Sequence, residues 1–192
     1  MARRKGPGLT RKDVVEAALQ CVEKHGAAAL GINRVARMLG IKPPSLYNHV
    51  SSNEDLHRAA ALAGFDRLSA HFARISYKPG EEREFLIAHG HCIRDFARSH
   101  KELYRHMSNV SLDPKEPEVA TILNKALSPL ERALAPMGLD GDEAVHAMRA
   151  LRSAAHGFAL LELDGQFRLG TDPEQSFDWM MEHLVDSFPT NP

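Results

Sequence analysis

The chain has 192 residues, 43% hydrophobic and 26% charged, a composition that gives a folded body of one or two domains and excludes an unstructured chain. Cys21 and Cys92 form no CxxC pair, no apolar run approaches a membrane span, and the opening MARRKGPGLTRKD has no apolar stretch behind its basic residues, so a reduced, cytoplasmic protein is expected. The net charge of −1 is unevenly spread: residues 1–58 hold 10 Lys and Arg against 5 Asp and Glu, the remainder 14 against 20, which suits one end that meets a polyanion.

Apolar residues recur at helical spacing almost throughout and no alternating β-branched run occurs, so the fold class is all-α. Thr10 with Asp13 predicts a capped helix running to about His25, with Val15, Ala18, Leu19 and Val22 on one face and Gly26 as its stop. A short helix is predicted over Ile32–Leu39, stopped by Gly40, and another from Pro43, whose missing N–H would be unpaired in a first turn anyway. Ser52 with Asp55 predicts the start of a long helix to about Ile75. After the break Tyr77-Lys78-Pro79-Gly80, helices are predicted over about 81–98, 101–108, 115–136, 141–164 and 173–188, with Pro129 expected to kink or split the third of these. The domain division is placed after residue 58, giving units 1–58 and 59–192.

The stretch from Ile32 to Val50 carries the most information. Ile32, Val35, Ala36 and Leu39 form a buried stripe, Gly40 permits a sharp redirection, and Leu46 and Val50 hold a second helix on the same core. Lys42, Pro44, Ser45, Asn48 and His49 then point away from that core. No carboxylate occurs from Asn33 through Asn53, where an ordinary exposed helical hairpin would carry some. This is a helix-turn-helix pattern, with a second helix suited to a major groove.

These residues resemble the N-terminal domain of the tetracycline-repressor (TetR) family of bacterial regulators. The family's pattern of an Ala in the second helix, a Gly turn and Leu-Tyr-x-His followed by Phe or Val is met by Ala36, Gly40, Leu46, Tyr47, His49 and Val50. The resemblance covers about residues 10–58. It implies that Tyr47 and His49 meet phosphates and that Lys42, Pro44, Ser45 and Asn48 face base edges, with Asn33, Arg34 and Asn53 completing the DNA-binding set. Asn53 stands where the family usually has a phosphate-binding lysine, and Gly31 where a Ser or Thr cap is usual, which weakens the start of the second helix.

Farther on, LRSAAHGFALLELDGQF is similar to a subgroup whose effector domain carries a Trp-containing His-Gly signature; His156-Gly157 is present, with Ser153 and Ala154 nearby in place of the tryptophan. The resemblance implies a homodimer joined through the last two long helices, for which His156, Gly157, Leu160, Leu161, Phe177, Met181 and Leu184 are the candidates; the same residues also suit a monomer core. It further implies a pocket for a small apolar or aromatic effector in a layer rich in Phe, Met and His, with Phe65, Phe85, His89, Phe96, Tyr104, Met107, Met148 and Phe158 as candidate lining and Phe72 beside them.

The Glu-x-x-His pairs Glu54/His57 and Glu143/His146 and the run from His89 to Cys92 offer a metal enzyme as a rival reading. Both carboxylates are explained as favourable charges at helix starts, and His89 and His91 point in opposed directions on a helix. No phosphate loop or nucleophile motif is present, so no enzyme, cofactor or metal is expected. The expected function is a ligand-responsive transcriptional regulator, most simply a repressor acting on a double-stranded DNA operator; the alternative is a DNA-binding regulator without an effector. No membrane partner is expected.

Overall fold

Thr10 opens the first helix with a reciprocal cap: its hydroxyl accepts from the Asp13 backbone N–H, and the Asp13 carboxylate accepts from the Thr10 N–H at 2.8 Å. The structure is a computed structural model that describes residues 8–189. The basic residues Arg3, Arg4 and Lys5 lie outside the described residues. Helix α1 is Arg11–His25, α2 Ile32–Met38, α3 Pro43–Leu46, α4 Asn53–Phe72, α5 Glu82–Ser99, α6 Lys101–Asn109, α7 Pro117–Leu134, α8 Gly141–Leu163 and α9 Pro173–Asp186, with 3₁₀ turns at Ala27–Ala29 and Ala135–Met137. Among the described residues there is no strand, and no helix is long and apolar enough to cross a membrane.

Contacts divide the chain into two units. One holds the residues up to Phe65 together with Glu102–Leu112, and the other holds Asp66–Lys101 with the residues from Asp113 onward. The sequence division after residue 58 is therefore shifted into α4, and α6 joins the N-terminal unit. The reason lies in α4: at Gly64 a Cβ would meet the Met107 Sδ at 2.7 Å, and the His106 ring bonds the His57 carbonyl at 2.9 Å. The core of this unit is Val14, Ala18, Cys21, Val22, Val35, Ala36, Leu46 and Leu56, all 0% exposed. On α1, Ala18, Leu19 and Val22 are buried as expected, while Val14 takes the buried place expected of Val15, which is only half-buried.

In the second unit, α5 lies against both α8 and α9. Gly90 on α5 makes this possible, because a methyl there would collide with the Met181 thioether of α9. Phe177 and Met181, both 0% exposed, close this core. Helix α7 runs through Pro129 without splitting: one backbone hydrogen bond is forgone at the proline, and Leu130, Ala133 and Leu134 behind it are buried. Helix α4 ends at Phe72, short of the expected Ile75, and α9 ends at Asp186.

Candidate nucleic-acid interface

Gly40 has φ +66°, a left-handed conformation that L side chains rarely adopt, and it turns the chain from α2 into α3. Helix α3 is only Pro43–Leu46. The expected second helix continues as a turn, in which both His49 and Val50 donate their N–H to the Leu46 carbonyl. Leu46 and Val50 are 0% and 2% exposed and pin this turn from below.

On that base Asn33, Arg34, Lys42, Pro44, Ser45, Asn48 and Asn53 are exposed, His49 is half-buried, and Tyr47 presents 55% of its surface to solvent. An exposed tyrosine flanked by short polar and basic groups, with no carboxylate among them, makes a surface that phosphates are not repelled from. The face is braced from behind. Arg11 donates one nitrogen to the His49 carbonyl and another to the Asp55 carboxylate at 3.3 Å. Asp55 also accepts from the Ser51 N–H at 2.8 Å, and its own N–H bonds the Ser52 hydroxyl at 3.0 Å. The Ser51 bond first, and then Arg11 against the opposing effect of burial, hold the Asp55 carboxyl below its usual range. Sequence reasoning missed this brace: Arg11 is 38 residues from His49 and looks like an ordinary solvated cation.

Asn53 has a structural task as well. Its side-chain oxygen accepts from the Ile32 N–H at 3.3 Å and so caps α2, whose own N-cap, Gly31, has no side chain to do it.

The effector candidates fall in both units. Phe65, Tyr104 and Met107 belong to the N-terminal unit, where Tyr104 and Met107 are buried. In the second unit, Phe72 of α4 stacks on His89 of α5 with centroids 3.9 Å apart, Phe85 lies 5.6 Å from His89, and Tyr77 lies 5.1 Å from Phe85. Phe96 forms a triangle with His71 and His100, at 5.4 and 4.7 Å, the two histidines being 6.3 Å apart. Met148 is buried. Phe158 joins a different group, 5.1 Å from Phe177 and 4.4 Å from Phe167, with the Arg94 guanidinium over its ring.

That arginine, 1% exposed, lies 4.7 Å from the Phe177 centroid, forks onto Glu162 at 2.7 and 3.0 Å, and faces Glu174 at 3.1 Å. Arg98 bonds both carboxylates too. Burial alone would raise the Glu162 carboxyl, but the hydrogen bonds from Arg94 and Arg98 outweigh it and hold it below the usual range.

For two interface candidates the burial favours the other reading, a core of the single chain. Phe177 and Met181 are fully buried within one chain, packed on Arg94, Phe158 and Gly90, and so fill its core instead of presenting a surface. His156, Gly157, Leu160 and Leu184 are half-buried and Leu161 is 48% exposed; among the described residues, none from another element comes within 4 Å of where a Cβ on Gly157 would sit. Trp179, 62% exposed and stacked on His183 at 4.1 Å, was not among the candidates. It is the single tryptophan of the chain, and a large apolar ring in water is its own signal.

Among the described residues, His91, Glu174 and Asp178 place ligand-type atoms within 4.8 Å of one another, but Glu174 is already the partner of Arg94 and Arg98. Glu54, His57, Glu143 and His146 are not in that group.

Residues 14–60 match the model described as bacterial regulatory proteins, tetR family, and residues 86–184 match the tetracyclin repressor-like C-terminal domain. The chain is 36% identical over 157 residues to an uncharacterised HTH-type transcriptional regulator of Mycobacterium tuberculosis, covering 82% of this chain and 72% of the relative. Among solved structures, a TetR variant from Acinetobacter baumannii in complex with minocycline superposes with TM-score 0.73 at 22% identity, over 94% of this chain and 97% of that one. ActR from Streptomyces coelicolor in complex with (S)-DNPA gives 0.73 at 19% identity, over 95% and 98%. The chain belongs to the tetR family of bacterial DNA-binding transcriptional regulators.

Proposed function

We propose that the protein is a homodimeric repressor that holds a pseudo-palindromic operator through the exposed face of Lys42–His49 and releases it when a small apolar or aromatic effector binds the second unit. The observation that carries the reading is the exposed, carboxylate-free surface around Tyr47, seated on buried Leu46 and Val50 and braced by Arg11. In this reading Tyr47 and His49 fix the register on phosphates, Asn33, Arg34 and Asn53 add backbone contacts, and Lys42, Pro44, Ser45 and Asn48 face base edges. Two-fold pairing through the exposed parts of α8 and α9, with Gly157, Leu161 and Trp179 central, presents two such faces to successive major grooves.

Two structural neighbours are described in complex with small molecules, minocycline and (S)-DNPA, which supports an effector role for the corresponding region here. Selection of bound duplexes from genomic DNA identifies the operator. Linkage then tests the regulation: an effector that releases DNA binds less tightly when operator is saturating. Equal effector affinity with and without operator contradicts the ligand-responsive reading, and leaves a regulator without an effector.

A further inference from the structure

Ser69 on α4 and His89 on α5 are 1% and 4% exposed, and among the described residues neither the serine hydroxyl nor either imidazole nitrogen has a hydrogen-bond partner. Buried polar groups are nearly always paired, because leaving one unpaired costs more than a hydrogen bond returns. Both residues lie in the second unit, on helices that meet at the Phe72–His89 stack, and their unpaired atoms need a reason.

The surroundings supply it. Phe72, one turn beyond Ser69 on α4, lies nearly parallel to the His89 ring, 20° off plane, and Phe85 is tilted 52° against the same ring. The layer against His89 is thus aromatic on two sides, which suits a ligand ring that joins the stack. Burial lowers the His89 pKa to about 4 and no charged group acts on it, so the imidazole is neutral and offers one donor and one acceptor. A ligand carboxylate would enter this layer with no cation to meet it, and a bare hydrocarbon would leave all three polar atoms unpaired. A hydroxyl, donor and acceptor at once, matches what Ser69 and His89 present.

We infer that Ser69 and His89 are the polar anchors of the effector site, and that its ligand is an uncharged aromatic compound bearing a hydroxyl group. The inference rests on the proposed effector role of this unit and names the chemistry of that site.

Phenol and toluene, equal in ring and close in size, are the probes, titrated into the full chain at pH 7 by calorimetry. The expected result is phenol binding at least about fivefold tighter than toluene, against their order of hydrophobicity, with the preference lost in Ser69→Ala and in His89→Leu. Equal binding, tighter toluene binding, binding of neither probe, or a preference that survives both substitutions overturns the assignment. Should His89→Leu fail to fold, Ser69→Ala and the ¹⁵N shifts of the wild-type His89 ring decide it: phenol moves those shifts if the ring is an anchor, and unchanged shifts overturn it. A gel shift on the selected duplex separates the two levels. Wild-type protein that binds DNA but does not discriminate the probes loses the anchor and keeps the regulator; protein that binds no duplex loses the regulator reading itself.

Discussion

The side-chain oxygen of Asn53 accepts the backbone N–H of Ile32 at 3.3 Å, so the first residue of α4 caps α2 from 21 positions away. The Gly31 backbone is extended at φ −178°, and a Cβ there would make only an ordinary 3.5 Å contact with this oxygen. Asn53→Ala is therefore expected to destabilise the chain by about 1 kcal/mol in a urea titration. Gly31→Ser, which restores a local cap without backbone strain, should recover part of that loss in the double variant. Asn53→Lys separates the two tasks of this position: it gives up the cap, lowering the melting temperature, and adds a cation that steepens the salt dependence of DNA binding by about one unit. Unchanged stability in Asn53→Ala contradicts the cap.

Arg94 and Glu162 give a second test, through contrast. Glu162 is 15% exposed, and Glu162→Ala leaves the buried Arg94 without its fork partner, for an expected cost of about 3 kcal/mol by chemical denaturation. Glu174, 47% exposed, meets the same two arginines, yet Glu174→Ala should cost under about 1 kcal/mol because water screens the pair. Equal costs for the two would refute the distinction.

His89 makes stability depend on pH. Its folded-state pKa is about 4 against an ordinary value of 6.5, so between those values the unfolded chain binds the extra proton. Stability from this group is complete above pH 6.5 and falls by about 3 kcal/mol as pH drops to 4. His71, His106 and His156 are also lowered, by burial first, and add slopes of the same sign. The difference between wild type and His89→Leu isolates the one residue: the variant should show a shallower decline between pH 6.5 and 4, and parallel curves contradict the assignment.

Surface and core candidates on α8 and α9 separate by assay. Leu161→Glu with Trp179→Glu should yield a folded monomer by sedimentation equilibrium, since both side chains are exposed on one chain. Phe177→Ala should instead destabilise each chain by about 3–5 kcal/mol, because its ring is fully buried under Arg94 and beside Phe158. A Leu161/Trp179 double variant that remains dimeric places the interface elsewhere.

How much of this was legible depended on separation along the chain. The Thr10–Asp13 cap, the Gly40 turn and the Ile32–Val35–Ala36 stripe are local, and their spacing alone carries them. The outward set from Lys42 to Asn48 follows from the same periodicity. What spacing does not carry is the identity of a partner. Asn53 reads as a surface polar residue until Ile32 is placed beside it; Arg94 reads as solvated until Glu162, 68 residues on, closes over it. An apolar stripe such as Phe177–Met181 shows that something covers it but not whether that is the same chain or a second one. The extent of α3 was overread because Leu46 and Val50 keep helical spacing even where the backbone has become a turn.

The central claim is that the exposed face around Tyr47 holds duplex DNA. The direct measurement is fluorescence anisotropy of the selected duplex and of a scrambled duplex across a salt series, with wild type, Tyr47→Ala and Asn48→Ala. Expected are a log–log slope steeper than about −4 for wild type, a loss of affinity on every sequence for Tyr47→Ala, and for Asn48→Ala a loss of about 1–3 kcal/mol confined to particular operator positions. A slope near zero, or equal affinity for the selected and scrambled duplexes, would contradict it.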